Sequence, residues 1–321
     1  MKEKYYAGID VGGTKIAGAL VTSKGRIINR VKSPTPKNSS PDNIICIITD
    51  LVKELLYASD IKKNNLKGVG LGIPGIIDTA NGRVVRTPNM RLSGTNLRKK
   101  LEARLGTRCF LGNDVNVGML GEKWLGAAKN AKNVVGLFIG TGLGAGVIIN
   151  NELVTGSHGA AAELGHMIIQ EDGPQCSCGN KGCLEALVGR WAIERDIREA
   201  IKKGKETIIT KLLDKKSDPI KSRFLRKAIK KQDALTIKIL TKAAKNLGVA
   251  CISIRHIFDP EMIVLGGGVM EACGDFMLPV VEKTIQKDKF FSDIGRCEIV
   301  TSKLGDDAIM LGAIALARNQ P

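Results

Sequence analysis

Three cysteines crowd into the stretch CSCGNKGCLE, residues 176–185, while the other five (Cys46, Cys109, Cys251, Cys273 and Cys297) are scattered singly. His166 stands ten positions before the first of them. The pattern H-x9-C-x-C-x4-C offers three thiolates and one imidazole, the donor set of a closed tetrahedral zinc site. A catalytic zinc keeps one position open, whereas His166, Cys176, Cys178 and Cys183 fill all four. Gly179 and Gly182 let so short a loop turn back on itself. A redox pair would read C-x-x-C at a helix start, which this stretch does not. The expectation is a structural zinc ion, with a redox switch and unmetallated buried thiols as the alternatives. One imidazole nitrogen would bind the metal and leave the other for a hydrogen-bond partner. Sequence does not say which. His158 and His256 read as ordinary turn and helix residues.

A second chemistry is suggested by glycine turns between strand-like runs. Such turns let backbone N–H groups approach phosphate oxygens without interference from Cβ. DVGGTK has the G-x-x-x-x-G spacing of a P-loop in Gly8 and Gly13, but then runs Thr14-Lys15 where a P-loop has Lys before Ser or Thr. A strand pattern, IAGALVT, follows in place of a helix. The phosphate would be held by a β-hairpin, with Gly12, Gly13, Thr14 and Lys15 near it and Asp10 suited to orient Mg2+. GTGLGAG, residues 140–146, offers Thr141 and Gly142 in a second turn, and Gly267 and Gly268 belong to a third after the run EMIVL. Together they predict ATP binding.

Phosphoryl transfer to an alcohol also needs a group to accept the hydroxyl proton. Asp114 ends the strand-like RCFLGN just before a helical run, which suits that role. Asp at this position is equally a good helix N-cap. Residue types alone leave both readings open.

The elements that would position these groups alternate between strand and helix, which predicts an α/β protein. YYAGIDV, KIAGALVT and GRIINRV read as strands, 43–58 as a helix, KGVGLGIPG as a buried strand and NLRKKLEARLG as a helix. RCFLGND and NVVGLFIG read as strands on either side of the helix VNVGMLGEKWLGAA. GAGVIIN reads as another strand, and the chain is then mostly helical to about 258. EMIVLGGGV and CEIVTS are the last strands and DDAIMLGAIALARN the closing helix. One repeat stands out: Gly8, Gly12, Ala17 and Gly18 match Gly136, Gly140, Ala145 and Gly146 at constant spacing. Apolar residues match at the same offset, so a duplicated domain is expected, with two hairpins facing across a cleft. Domains are expected at 1–125, completed by the closing helix 306–321, and at 126–305 with the zinc loop.

The bulk composition is that of an ordinary soluble protein. The 321 residues are 43% hydrophobic and 25% charged. No apolar run reaches the ~18 residues of a membrane helix, and the N-terminus lacks a signal-peptide pattern. Cytoplasmic location and absence of a membrane partner are the expectations. Net charge is +17, much of it in 199–233, which reads as amphipathic helices with lysine-rich outer faces. Nucleic-acid surfaces pair such residues with stacking aromatics, and aromatics here are 4%. No nucleic-acid partner is expected.

DVGGTK, LGIPG, PNM, NDVNV, GTGLGAG, AAELGH and CSCGNKGC, in that order, resemble the ROK family of sugar kinases and sugar-responsive regulators, most closely its bacterial glucokinase branch. The resemblance spans Tyr6 to about Ala317. It implies the duplicated actin-like/hexokinase (ribonuclease H-like) fold. It also implies that Asp114 is the catalytic base and that Asn113 hydrogen-bonds neighbouring sugar hydroxyls. Gly75, Asn89, Glu163, His166 and Glu185 match sugar-site positions of the family. Two departures stand out: Ala162 precedes Glu163 where relatives commonly have glycine, and RLSGTNL follows PNM without the usual tryptophan.

The resemblance thus implies an ATP-dependent hexokinase transferring the γ-phosphate to a sugar 6-hydroxyl, most closely a glucokinase, with structural Zn2+ and Mg2+ bound with ATP. Alternatives are an N-acetylmannosamine or fructose kinase, a polyphosphate-using glucokinase, and a non-catalytic regulator. The last carries an N-terminal helix-turn-helix domain, for which a first strand at about residue 5 leaves no room. By analogy with relatives, a homo-oligomer, dimer or tetramer, is expected.

Overall fold

The computed structural model describes residues 3–88, 90–215 and 217–319. Asn89, expected at the sugar site, lies outside the described residues. The chain divides into two compact units. Met1–Asn130, Glu152–Ala162 and Asp306–Pro321 form the first; Ala131–Asn151 and Glu163–Gly305 form the second.

In the first unit, β1 (Tyr5–Val11) and β2 (Lys15–Thr22) make an antiparallel hairpin, and β3 (Ile27–Pro34) pairs with β2. Helix α1 (Pro41–Tyr57) starts where the Ser40 hydroxyl accepts the Asn43 N–H, with proline at the first turn, where its missing N–H costs nothing. Then come β4 (Leu66–Ile73) and a small hairpin, β5 (Ile76–Asp78) with β6 (Arg83–Arg86), which the sequence pattern does not announce. Helix α2 (Leu97–Leu105) is capped by Asn96 and ended by left-handed Gly106. β7 (Cys109–Asn113) leads into α3 (Asp114–Leu125). The sheet order is β3-β2-β1-β4-β7, with β4 parallel to β1 and β7. Ile9, Val11, Ile16, Leu20, Ile48 and Leu71 are fully buried between this sheet and its helices.

The second unit begins with the hairpin β8 (Val134–Ile139) and β9 (Leu143–Ile149); the two-residue strand β10 (Glu152–Leu153) falls in the Glu152–Ala162 segment of the first unit. Helices α4 (Glu185–Val188), α5 (Arg190–Lys202), α6 (Ile209–Leu212), α7 (Ser222–Lys230) and α8 (Ala234–Phe258) come next. In α7, Leu225 and Ala228 are buried while Arg223, Arg226, Lys227 and Lys230 face solvent, the lysine-rich amphipathic pattern expected. β11 (Met262–Gly266), α9 (Gly268–Ile285) and β12 (Glu298–Thr301) complete the unit. β11 lies parallel to β8 and to β12.

The order β9-β8-β11-β12 therefore repeats β2-β1-β4-β7, strand direction included. The glycine repeat marks a duplicated topology. Its registers differ by one residue: Val11 pairs with Ile16 around a longer turn, Ile139 with Leu143 around a shorter one.

The closing helix α10 (Ala308–Arg318) packs on α3 and across β1 and β4. Glycines make that approach possible. A methyl group on Gly8 would overlap the Met310 carbonyl, and one on Gly312 would overlap the Val117 carbonyl. No described helix is long and apolar enough to cross a membrane.

Candidate functional site

The metal centre is the best-defined part. His166 Nδ1 lies 3.7 Å from Cys176 Sγ, Cys178 Sγ lies 3.7 Å from Cys183 Sγ, and all four ligand atoms fall within 4.8 Å of one another. Thiolates ~2.3 Å from a tetrahedral ion stand about 3.8 Å apart, so the residues present fit zinc. Nδ1 is the nitrogen that faces the thiols, which leaves Nε2 on the far edge of the ring. The loop is built for this. The Cys176 N–H donates to the Asn180 carbonyl at 2.8 Å, and the Gly179 N–H to Cys176 at 3.1 Å. Gly179 (φ +98°) and Gly182 (φ +74°) occupy the left-handed region that favours glycine. Burial pushes the Cys183 thiol up to about 12, while a backbone hydrogen bond from Asn180 holds Cys178 below its ordinary value. A buried thiol so hard to ionise becomes a thiolate when a cation binds.

Glu163 and His166 flank a single 3-10 turn, with the His166 N–H donating to the Glu163 carbonyl at 2.9 Å. Ala162, just before, has φ +65°. The departure from the family's glycine thus falls where glycine is preferred, at a cost of roughly 1–2 kcal/mol.

Glu185 opens α4 and ties two loops together. Its Oε2 accepts the Leu143 N–H at 2.9 Å, and Oε1 accepts the Ser177 hydroxyl at 3.2 Å. The cysteine loop is thereby fastened to the β8–β9 turn. That turn is closed by the Gly140 N–H donating to the Gly142 carbonyl. The start of α5 grips it as well: the Arg190 N–H donates to Gly140, the Trp191 N–H to Thr141, and Arg190 Nη2 to Thr141 Oγ1 at 2.9 Å. Gly267 (φ +83°) packs against the Ile139 backbone, and Gly268 begins α9. The Gly140–Gly142 turn and the Gly267 turn therefore gather at the carboxyl ends of adjacent parallel strands, where α/β sheets bind ligands.

In the first unit the Asp10–Lys15 turn leaves Gly13, Thr14 and Lys15 exposed. Thr35 pins it: its hydroxyl donates to the Gly12 carbonyl at 2.7 Å and its N–H to Thr14 at 3.0 Å. No motif announces Thr35. Asp10 has its pKa pushed up to about 6, first by burial, then by the Asp114 carboxylate, with Asp306 adding to it and Lys15 opposing. Asp10, Asp114, Asp306 and Lys15 thus act on one another electrostatically. Asp306 is visible in sequence only as part of the closing helix.

Asp114 lies at the start of α3. Asn113, not Asp114, is the N-cap: its Oδ1 accepts the N–H groups of Val115 and Asn116 at 3.0 and 3.1 Å. Its Nδ2 donates to the Gly75 carbonyl at 3.0 Å. Gly75 (φ +108°) admits no side chain, because a Cβ would overlap the Arg86 carbonyl. Asp114 is the first helical residue, one place beyond the cap, and its Oδ1 also accepts the Val115 N–H at 2.9 Å.

The sequence profile of the ROK family matches residues 6–320. The chain is 35% identical to the glucokinase of Thermotoga maritima, covering 98% of this chain and 97% of that one. It is 29% identical to the xylose repressor of Caldicellulosiruptor bescii, covering 96% of this chain and 77% of the repressor. The crystal structure of a ROK family glucokinase from Streptomyces griseus, in complex with glucose and AMPPNP, superposes with a TM-score of 0.84 at 29% identity, covering 98% and 100% of the two chains. The fold is the duplicated actin-like/hexokinase fold, and with this profile match across the two repeated sheets and the cluster of one histidine and three cysteines the chain belongs to the ROK family.

Proposed function

We propose that this protein is an ATP-dependent glucokinase that phosphorylates the 6-hydroxyl of glucose. The observation that carries the reading is the α3 N-terminus, where Asn113 caps the helix and Asp114, its first residue, is within electrostatic reach of Asp10. Its likeness to the Thermotoga glucokinase and to a structure holding glucose and a nucleotide analogue supports the substrates. In the reaction the sugar oxygen forms a bond to the γ-phosphorus. The bond from that phosphorus to the β–γ bridging oxygen breaks, and its electron pair leaves with ADP. The hydroxyl proton passes to Asp114, late in the transfer, so a carboxylate of modest basicity suffices. Asn113, Gly75, Asn89, Glu163, His166 and Glu185 bind the sugar, carboxylates and amides pairing with its hydroxyls. The turns at Asp10–Lys15, Thr141–Gly142 and Gly267–Gly268 hold the nucleotide. Asp10 would help hold Mg2+, which would neutralise phosphate charge when bound with ATP. Zinc held by His166, Cys176, Cys178 and Cys183 would perform no chemistry and would fix the loop between His166 and Glu185.

A coupled assay across glucose, mannose, fructose and N-acetylmannosamine, each with ATP or polyphosphate, tests this. Glucose with ATP is expected to have the highest kcat/KM. Higher efficiency with another sugar, or with polyphosphate, reassigns the substrate; no turnover with any pair overturns the kinase reading.

A further inference from the structure

Arg190 belongs to none of the motifs above, yet its side chain reaches the turn assigned to the nucleotide. Its Nη2 donates to Thr141 Oγ1 at 2.9 Å, and its Nη1 makes a long contact of 3.4 Å to the Ile220 carbonyl. Its backbone N–H is fixed to Gly140, so the residue is anchored to the turn at both ends. The nearest acid is Glu194, 3.7 Å away. That carboxylate is already engaged by Arg198, whose Nε and Nη2 approach it at 2.8 and 2.7 Å. Two guanidinium groups thus share one carboxylate, and the surplus positive charge sits at Arg190, next to the Thr141 hydroxyl. Its side chain keeps 21% of its surface open to solvent, so it is held in place yet accessible.

We propose that Arg190 binds a phosphate of the donor nucleotide, one edge of the guanidinium holding Thr141 and its remaining N–H donors turned to phosphate oxygens. The planar fork of five N–H donors permits both contacts at once. The assignment rests on the kinase reading above and extends it by naming the cation that this turn contributes. A lysine could supply the charge without the fork.

The test is direct binding of ATP, ADP and adenosine to wild-type protein and to the Arg190→Gln, Arg190→Ala and Arg190→Lys variants, with thermal unfolding alongside. Gln keeps a donor for Thr141 and removes the charge, which separates the two roles. Arg190→Gln is expected to weaken ATP and ADP binding about ten- to a hundred-fold, the worth of a charge-assisted hydrogen bond, with adenosine affinity and Tm unchanged. Lysine is expected to recover part of the loss, and added guanidinium to recover part of the alanine defect. Equal loss for adenosine and ATP would mean a merely structural clamp and overturn the proposal. So would wild-type ATP affinity in Arg190→Gln, with the kinase reading left standing. Failure of the wild-type protein to bind ATP at all would overturn both.

Discussion

At the scale of single residues, small displacements along the chain decide what a side chain can do. In NDVN the cap of α3 is Asn113, whose Oδ1 meets two helix amides, and Asp114 Oδ1 accepts one of them as well. Asp114→Asn is expected to lower kcat by several orders of magnitude with glucose still bound, because a neutral amide cannot take the proton; calorimetry beside steady-state rates checks it, and near-normal turnover would end the general-base assignment. Asp10 tests the electrostatics. Its folded pKa of about 6 exceeds the ordinary 3.8, so the native state holds a proton there that the unfolded chain has released. Between those two values stability falls as pH rises, and above pH 6 the full penalty of a buried, ionised carboxylate is present. Asp10→Asn should therefore stabilise the nucleotide-free protein above pH 6, by on the order of 2–3 kcal/mol, with little gain near pH 4, while weakening Mg·ATP binding. Unfolding curves across pH 4–8 that shift equally at every pH would contradict this.

At the scale of elements, the cysteine loop and the β8–β9 turn work as one piece through Glu185. The spacing of the four ligands is legible in the sequence because a tetrahedral donor set tolerates few arrangements, and the two left-handed glycines are legible with it. The choice of Nδ1 is not, since ring orientation follows from how the 3-10 turn at Leu164–His166 packs. Cys178→Ser is expected to release zinc and raise the Kd for glucose at least about ten-fold, in line with the usual cost of disturbing a metal site's surroundings. Metal analysis with a glucose titration gives the answer; metal-free protein with unchanged glucose affinity would break the link between zinc and sugar.

At the scale of the whole molecule, the last helix returns to the first unit and seats against its opening strand. Helix propensity alone says that Gly312→Ala should stabilise α10 by about 1 kcal/mol. The packing says the reverse, because the new methyl would overlap the Val117 carbonyl of α3. The variant is expected to lose about 1–3 kcal/mol, the usual cost of overpacking, read as a lower Tm. A raised Tm would show that the two helices can part without penalty.

The sequence by itself determined the features that depend on local spacing: alternating strands and helices, the duplicated glycine hairpins and the His/Cys3 ligand set. These survive without coordinates because hydrogen-bond geometry, metal geometry and backbone sterics act over a few residues. Other features arose only from tertiary structure. The small hairpin of β5 and β6, the Thr35 pin on the first turn, the electrostatic grouping of Asp306 with Asp10, and the Arg190 grip on Thr141 join residues far apart in the chain. So does the backbone strain at Ala162, where a substitution that looks mild in sequence meets a conformation that favours glycine. Long-range packing brings such partners together, and no periodicity along the chain records it.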